Sequence, residues 1–310
     1  MTIVVAGSTG LAGSAITKAF ENVGEEVVGI NRSVLNLLDL DATKSFLQKI
    51  NPSVVIDAAA KVGGIGANNS FPVEFLADNL RIQSNLMEAA HAADVEKFVF
   101  LGSSCIYPRD CAQPIKEEYL LTGPLEETNS AYAIAKIAGI ELVKSFRKEY
   151  GRKWISLMPT NLYGPRDNFE LKGSHVLPAF IRRFVEAKES GASQEVLWGT
   201  GSPKREFLHV DDLASAVLLA TQKYDSSTHM NIGSGEDLTI KDLATLVAGL
   251  AGFTGEIAWD SSKPDGTPRK VLDVTKVKSL GWSPQISLHD GVASTIEWYI
   301  EATAKGVSRR

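Results

Sequence analysis

The chain has 310 residues, of which 44% are hydrophobic, and 32 Lys and Arg against 37 Asp and Glu give a net charge of −5. This composition is typical of a globular protein that buries a core without disulfide staples, so it excludes a disordered chain and a disulfide scaffold. Basic residues form no run longer than a pair, which argues against a nucleic acid or an anionic membrane as partner.

The sequence favours a cytoplasmic protein. Cys105 and Cys111 are its only cysteines, which is typical of a reducing compartment. The N-terminus enters an apolar run without a basic region or cleavage site, and no stretch approaches the roughly 18 apolar residues of a membrane span. We therefore expect neither a signal peptide nor a transmembrane segment.

Short β-branched apolar runs alternate with longer helical patterns in the first half of the chain. The runs cover residues 3–6, 27–30, 54–56, 98–101 and 155–158. Such alternation predicts an α/β fold with a Rossmann-type doubly wound parallel sheet. Local signals agree with it: Gly24 would end the first helix, Asp41 would cap the second, and Asn51-Pro52 would end that one.

From about residue 165 the pattern becomes irregular and then resumes. It predicts a strand at 196–198, a helix from about Asp211, a strand at Met230–Ile232, a helix from Leu238 and a last helix at 288–302. Residues 261–268 have the composition of a long polar loop. We expect a cofactor-binding Rossmann domain at 1–165, to which 198–230 return, and a smaller α/β substrate-binding domain made of 166–197 and 231–310.

A glycine-rich turn follows the first strand directly and opens the first helix, with the sequence Gly7-Ser8-Thr9-Gly10-Leu11-Ala12-Gly13. Glycines permit a tight turn, close approach of the backbone to a pyrophosphate and close packing of helix on strand, while the helix N-terminus attracts phosphates. The order of strand, glycines and helix predicts a dinucleotide site, although the spacing is Gly-x-x-Gly-x-x-Gly rather than Gly-x-Gly-x-x-Gly.

The loop after the second strand indicates which dinucleotide binds. Arg32 stands where an acidic residue would favour NAD, so NADP is the expected cofactor unless Arg32 is simply a solvated loop residue. Further on, Asp39-Leu40 lie where a loop could contact the adenine.

A tyrosine and a lysine four residues apart, Tyr132 and Lys136, share one face of a predicted helix. The Lys ammonium, with the positively charged ring of the oxidised cofactor, would lower the pKa of Tyr132 and let it exchange a proton with a carbonyl oxygen during hydride transfer. Alone, such a pair is more often an ordinary surface pair. Here a loop starting at Gly102 follows the strand at 98–101, at the edge where ligands bind in open α/β sheets, which favours catalysis.

The glycine turn, the Ser103-Ser104 segment and the Tyr132/Lys136 pair resemble the extended short-chain dehydrogenase/reductase family. Four segments resemble, within it, the GDP-L-fucose synthases: LGSSCIYP at 101–108, YAIAKIAG at 132–139, MPTNLYGP at 158–165 and PDGTPRK at 264–270. The resemblance covers nearly the whole chain. It implies NADPH-dependent 3,5-epimerisation and 4-reduction of GDP-4-keto-6-deoxy-D-mannose to GDP-L-fucose by a homodimer.

The resemblance also implies roles for single residues. Epimerisation next to a ketone needs two groups that remove a proton and return one to the opposite face, and Cys105 and His175 match the family positions for them. Ser103 and Tyr132 would stabilise the enolate oxygen, and Tyr132 would then protonate the C4 oxygen. Without the resemblance, Cys105 would be a small buried hydrophobe and His175 a loop residue. Cys111 has no matching role and is expected to be structural.

Binding residues follow from the same resemblance. Besides the glycine turn, Arg32 and Asp39-Leu40, the cofactor would contact Leu101, Gly102, Ser103, Ser104, Lys136, Pro159, Thr160, Asn161, Leu162 and His175. A GDP-sugar carries a diphosphate that needs cations, and the substrate residues would be Arg183, Trp198, Arg205, Asp265 and Lys270. Arg183 would equally fit a solvated helix face and Trp198 a core position. The loop at 61–69 could form a wall beside the substrate, and no metal site is expected.

Two other functions stay open at this point. One is another nucleotide-sugar epimerase or dehydratase that acts with bound NAD, which Arg32 and the Cys105/His175 pair disfavour. The other is a non-catalytic NADP-sensing protein, which would need the glycine turn but no acid/base set.

Overall fold

The computed structural model describes residues 1–171, 173–263 and 265–308. Pro264, which belongs to the predicted polar loop and to one of the segments that carry the resemblance, lies outside the described residues. No helix in the described ranges is long and apolar enough to cross a membrane.

Strands and helices alternate along the described residues. The strands are β1 (Thr2–Ala6), β2 (Glu26–Ile30), β3 (Val54–Asp57), β4 (Lys97–Leu101), β5 (Ile155–Pro159), β6 (Asn161–Tyr163), β7 (Gln194–Trp198), β8 (Lys204–Arg205), β9 (Phe207–His209), β10 (Met230–Ile232), β11 (Leu238–Thr239), β12 (Glu256–Asp260) and β13 (Arg269–Lys270). The α-helices are α1 (Leu11–Asn22), α2 (Leu40–Ile50), α3 (Ile65–Ser70), α4 (Pro72–Ala92), α5 (Ser130–Tyr150), α6 (Val176–Glu189), α7 (Val210–Lys223), α8 (Ile240–Ala251), α9 (Thr275–Ser279) and α10 (Leu288–Ala304). The strands and helices expected from the sequence are present, within a few residues of their predicted bounds.

The ends of the first two helices test the local signals. Gly24, with a φ of +83°, follows the end of α1, and Asn51, with a φ of +51°, is the left-handed cap that ends α2. The prediction that Asp41 caps α2 is wrong. Asp39 is the N-cap, because its side chain accepts the N–H of Ala42 at 2.9 Å. Asp41 lies inside the first turn, where its charge favours the helix dipole but its side chain is past the capping position.

The central sheet has six strands in the order β10-β5-β4-β3-β1-β2, and every pairing is parallel. Since β2 lies on one side of β1 and β3 lies on the other, the strand order reverses between β1 and β3. Right-handed crossovers therefore place α1 and α4 on opposite faces of the sheet. In such sheets ligands bind beyond the carboxyl ends of the strands at the reversal.

Two buried clusters form the interior of the described chain. The first surrounds the central sheet and includes α7 and β10, which come back to it late in the sequence. The second is built by α6, α8 and α10, whose buried side chains include Phe184, Leu243, Val247 and Tyr299. Between them, β8 pairs with β13 and carries Arg205 opposite Lys270. Residues from both halves of the chain thus reach the carboxyl edge of the sheet.

Candidate active site

The turn after β1 has the shape of a phosphate cradle. Gly7 has a φ of +78°, and a Cβ on it would lie 2.6 Å from the carbonyl oxygen of Ala58, which follows β3. A Cβ on Gly13 would overlap the carbonyl of Gly7. Gly10 caps α1 without any side-chain hydrogen bond, so the first N–H groups of α1 remain for a ligand. Leu11 and Ala12 are the first residues of this helix. The residues here fit the pyrophosphate of a dinucleotide.

The loop after β2 presents Arg32 to solvent. The carboxamide oxygen of Asn31 accepts hydrogen bonds from the Ser33 N–H at 2.9 Å and the Ser33 hydroxyl at 2.6 Å, which fixes the turn. Arg32 is exposed and has no ion pair within the described residues. Its guanidinium can therefore meet a phosphate without breaking an existing contact. Asp39 uses one carboxylate oxygen as the cap of α2, so an adenine contact at Asp39 stays a prediction.

Tyr132 and Lys136 lie in the first two turns of α5 and are both buried. The Lys136 Nζ donates a hydrogen bond to the carbonyl of Leu101 at 2.9 Å and lies 4.8 Å from the centre of the Phe100 ring. Tyr132 packs edge-on against Phe75, with ring centres 6.4 Å apart. The pair predicted from the four-residue spacing is therefore fixed at the carboxyl end of β4.

The pKa of Tyr132 shifts in the direction opposite to the one that the sequence led us to expect. Burial raises the pKa of its phenol above the ordinary value, the charge on Cys105 raises it further, and a hydrogen bond to Ser103 lowers it. The expected lowering combined Lys136 with the charged ring of the cofactor, whereas in the protein alone burial dominates. Tyr132 is consequently a neutral phenol with a proton to give at neutral pH.

The loop after β4 carries Ser103 and Cys105. Ser103 caps a short 3₁₀ turn, Ser104–Ile106, by accepting the Cys105 N–H at 3.2 Å. The Cys105 Sγ lies 3.7 Å from the Nδ2 of Asn129 and 3.8 Å from the Nζ of Lys270. Both of those groups donate hydrogen bonds to the sulfur, so they stand where negative charge develops when Cys105 gives up its proton.

Further residues of this loop and of the strand β5 hold the carboxyl edge together. The N–H of Gly102 donates to the carbonyl of Leu157 at 2.8 Å, and Ser104 is buried beside it. After Pro159, the last residue of β5, the N–H of Thr160 donates to the carbonyl of Ile232 at 3.0 Å. Next to it, the Asn161 Nδ2 donates to the Glu206 carbonyl at 2.8 Å, and Leu162 continues into β6. All of the predicted cofactor residues of β4 and β5 thus lie at one edge of the sheet.

Two cations of the second half of the chain reach the catalytic loop. Arg205 and Lys270 are register partners in the pairing of β8 with β13, and Arg205 interacts electrostatically with Cys105. The next residue, Glu206, is completely buried and accepts the N–H groups of Gly235 at 2.7 Å and Leu272 at 2.9 Å. The Glu206 carboxylate thus holds the segments around Gly235 and Leu272 next to β8, and so fixes the positions of Arg205 and Lys270.

The other predicted substrate residues are placed differently. Arg183 is paired with the Glu195 carboxylate at 2.5 Å and donates to the Val196 carbonyl at 2.5 Å, so its guanidinium is occupied by neighbouring protein groups. Trp198 is 72% exposed rather than a core residue. Asp265 is exposed and accepts the Thr200 N–H at 2.9 Å and hydroxyl at 2.7 Å. Their contacts with a substrate remain predictions.

His175 caps α6 and is exposed, and within the described residues its imidazole makes no hydrogen bond. Although the residue is exposed, the protein around it partly excludes water and lowers the pKa of its imidazole. The segment before His175 contacts the loop at 61–69, which the sequence predicts to form a wall beside the substrate, because the Gly64 N–H donates to the carbonyl of Gly173 at 3.0 Å. A cavity of about 280 Å³ lies at this junction, between Lys61 on one side and Asn168 on the other.

Three residues at the site were not predicted from the sequence: Asp57, Asn129 and Glu206. Asp57 carries a sequence signal, since a carboxylate that ends an apolar run marks the carboxyl end of a buried strand. Asn129 and Glu206 carry none, because each acts through a contact with a residue far away in the chain.

Comparison with known proteins decides the family. The model of the NAD dependent epimerase/dehydratase family matches residues 3–233. The chain belongs to this family. The Rossmann-type fold predicted from the sequence is thereby confirmed together with the six-stranded parallel sheet.

Several members of the family are similar over almost the whole chain. GDP-L-fucose synthase 1 of Arabidopsis thaliana is 52% identical over 300 residues, which cover 96% of this chain and 93% of the relative. GDP-L-fucose synthase of Escherichia coli K12 is 50% identical over 309 residues and 96% of each chain. The crystal structure of a GDP-L-fucose synthetase from Naegleria fowleri bound to NADP is 30% identical, superposes with a TM-score of 0.92, and covers 100% of this chain and 95% of that one.

Proposed function

We propose that this protein catalyses the NADPH-dependent 3,5-epimerisation and 4-reduction of GDP-4-keto-6-deoxy-D-mannose to GDP-L-fucose. The observation that carries the proposal is one cluster at the carboxyl edge of the sheet. In it, the buried Tyr132/Lys136 pair lies next to the Ser103–Cys105 loop, and Lys270 from β13 donates to the Cys105 sulfur. The similarity to named GDP-L-fucose synthases at 50% to 52% identity supports the same activity.

The cofactor of the proposal is NADPH, which supplies a hydride to a carbonyl carbon when it is bound. The glycine turn and the N-terminus of α1 would hold its pyrophosphate, and Arg32 would hold the 2′-phosphate. Lys136, whose Nζ is fixed at the end of β4, would also contact the cofactor. The NADP in the Naegleria fowleri structure supports this choice over NAD.

Reduction needs a proton on the oxygen that receives electron density. Ser103 and Tyr132 both place hydroxyl groups at the end of β4, and the hydrogen bond between them orients the phenol. Because the pKa of Tyr132 is raised, the phenol is neutral and can protonate the C4 oxygen as the hydride arrives at C4. The reaction consumes one NADPH and one proton for each GDP-L-fucose.

Epimerisation needs a base on one face of the sugar and an acid on the other. Cys105 would exchange a proton with carbon, because Asn129 and Lys270 donate to its sulfur and stabilise the charge left after proton loss. His175 would serve the opposite face, from the start of α6. Ser103 and Tyr132 would stabilise the enolate oxygen in both epimerisations, so one donor pair serves both half-reactions.

The diphosphate of the substrate would bind Arg205 and Lys270, which lie side by side on β8 and β13. Trp198 is exposed and would stack on a base, with the Lys263 Nζ 5.8 Å from the centre of its ring, and Asp265 would bind the substrate from its position beside Thr200. Arg183 could reach a phosphate only by exchanging its contact with Glu195. We therefore expect Arg205 and Lys270 to contribute more to substrate affinity than Arg183.

We further propose that the active form is a homodimer that uses α4 and α5. Val73 on α4 is 75% exposed and Ile134 on α5 is 48% exposed, and a second copy of this surface would cover them. Light scattering on the protein eluted from a size-exclusion column should then give a mass of twice 33.4 kDa, and the mass of a monomer would refute the proposal. A reducing compartment, the cytoplasm, suits a site that needs Cys105 as a free thiol.

The division of the chain into two domains is part of the proposal as well. The first buried cluster supports a Rossmann domain at 1–165 to which 198–230 return, but it also includes Ile232 and the side chains of Leu272, Val274, Val277 and Trp282. The second supports a substrate-binding domain built from 166–197 and 231–310, but it also includes Tyr163 and Phe207.

The direct test is turnover. Purified protein is mixed with NADPH and GDP-4-keto-6-deoxy-D-mannose, the loss of NADPH absorbance is followed, and the sugar nucleotide is identified by chromatography and NMR. We expect one GDP-L-fucose for each NADPH oxidised. Binding of both ligands without turnover would refute the proposal and favour a sensing protein. Turnover without epimerisation would restrict the activity to the reduction.

A further inference from the structure

A buried carboxylate lies behind the catalytic pair, and none of the steps above uses it. Asp57 is the last residue of β3 and is completely buried. Its Oδ1 accepts the Ala59 N–H at 3.1 Å, whereas its Oδ2 is buried without a hydrogen-bond partner among the described residues. A buried carboxylate with an unpartnered oxygen is costly, so it needs a compensating charge nearby.

The register of the sheet places Asp57 close to that charge. Asp57 is the cross-strand neighbour of Phe100 in β4, and the Lys136 Nζ lies over the Phe100 ring, 4.8 Å from its centre. Lys136 is anchored on its other side by the carbonyl of Leu101. The described residues include no direct ion pair between Asp57 and Lys136, so the two charges act on each other through space.

We propose that Asp57 is the buried counter-ion of Lys136 and, through it, a positioning residue for the reduction. It keeps Lys136 protonated in a place from which water is excluded, and so keeps the ammonium charged where it lies, 6.0 Å from the centre of the Tyr132 ring. The inference rests on the proposed reduction, because it assigns Asp57 to the lysine that this step uses.

The electrostatics of the pair support this role. Burial lowers the pKa of Lys136, and Asp57 is the charge that opposes the lowering. Burial raises the pKa of Asp57 to about 6, and Lys136 limits that rise. Asp57 and Cys105 each act electrostatically on Tyr132 and raise the pKa of its phenol, so Tyr132 and Cys105 are titratable groups coupled to the pair.

A pKa of about 6 makes the pair sensitive to pH near neutrality. Above that pH, Asp57 is charged and Lys136 keeps its proton. Below it, Asp57 takes up a proton and Lys136 loses its counter-ion, so the rate of hydride transfer should decrease as the pH falls through about 6. The pKa of His175 is also lowered from its ordinary value, so substitution of Asp57 is needed to separate the two ionisations.

The first test needs no substrate, so it is independent of whether the proposed function holds. Protein labelled with ¹³C at the lysine ε-carbons is titrated by NMR, and Lys136→Arg identifies the Lys136 resonance. In the wild type this resonance should show a step near pH 6 as Asp57 titrates. In Asp57→Asn the step should vanish, and the titration midpoint of Lys136 should fall by about one unit or more.

The neutral variants are chosen to preserve the fold. Asp57→Asn keeps an oxygen that can accept the Ala59 N–H, and Asp57→Ser is a smaller neutral alternative. Asp212→Asn is the matched control, because Asp212 is buried on α7 and accepts the backbone N–H groups of Gln285 at 2.9 Å and Ile286 at 3.0 Å. It should lose stability without moving the Lys136 titration.

The second test measures hydride transfer in single turnovers between pH 5 and 9, with the isotope effect of NADPH deuterated at nicotinamide C4 as its marker. In the wild type we expect the rate of hydride transfer to decrease as the pH falls through about 6, and in Asp57→Asn we expect this decrease to be absent. The variant should run at every pH with the rate that the wild type reaches at low pH. A decrease in rate below about pH 6 that survives in Asp57→Asn overturns the proposal. A wild-type Lys136 resonance without a step near pH 6 also overturns it, and that result does not depend on whether the Asp57 variants fold. Absence of wild-type turnover would instead count against the proposed function.

Discussion

Replacing Tyr132 by Phe removes one hydroxyl group from the site and almost nothing else. The ring is 7% exposed and packs edge-on against Phe75, and Phe retains both features. Its hydrogen bond with Ser103 is lost, which costs about 1 kcal/mol of stability. The proton donor for the C4 oxygen is also lost, and a positioned general acid contributes about 10²- to 10⁴-fold in rate. That loss corresponds to about 3 to 5 kcal/mol in the barrier for reduction.

The assay is a single turnover of enzyme-bound NADPH monitored by absorbance, with solvent-deuterium incorporation at C3 and C5 measured on the same samples. Tyr224→Phe is the matched control, because Tyr224 is the C-cap of α7 and its hydroxyl donates to the carbonyl of Thr228 at 2.6 Å. It should cost similar stability and leave the rate unchanged. Hydride transfer in Tyr132→Phe within a factor of about three of the wild type would refute the assignment of Tyr132 as proton donor.

Three other substitutions test separate parts of the site. Cys105→Ser should slow the incorporation of solvent deuterium at C3 and C5 by about 10²-fold or more while NADPH affinity is retained, and undiminished incorporation would exclude Cys105 as the acid/base group. Lys270→Gln should raise the KM for the GDP-sugar about tenfold to a hundredfold, since it removes the charge that we propose binds the diphosphate and that also donates to the Cys105 sulfur. An unchanged KM would place Lys270 outside the site. Glu206→Gln should lower the free energy of unfolding in urea by about 1 to 3 kcal/mol, because the single amide oxygen can accept from Gly235 or from Leu272 but not from both. An unchanged unfolding midpoint would show that Glu206 does not hold these two segments together.

Features that depend on neighbouring residues could be predicted from the sequence. The glycine turn needs only β1, the start of α1 and the glycines between them, and these are contiguous. The Tyr132/Lys136 pair is likewise contained in two turns of one helix. The cap of α2 shows the limit even of local signals, because Asp39 and Asp41 are both good capping residues and only the backbone decides between them.

Features that depend on strand order and register could not be predicted. Asp57 acts electrostatically on Lys136, 79 positions further along the chain, only because β3 pairs with β4 and Lys136 of α5 lies over the Phe100 ring of β4. Lys270 reaches Cys105 from 165 positions away. The ion pair of Arg183 with Glu195 could not be predicted for the same reason, because the packing of α6 on β7 brings the two residues together and the sequence of α6 alone does not show it.

The measurement that tests the account most directly is an isotope map of the product. The reaction is run in D₂O with NADPH deuterated at nicotinamide C4, and the sugar nucleotide is analysed by NMR. We predict GDP-L-fucose with deuterium from solvent at C3 and C5 and deuterium from the cofactor at C4. Deuterium at C4 alone, or a product that retains the D-manno configuration at C3 and C5, would contradict the claim that one site performs both half-reactions.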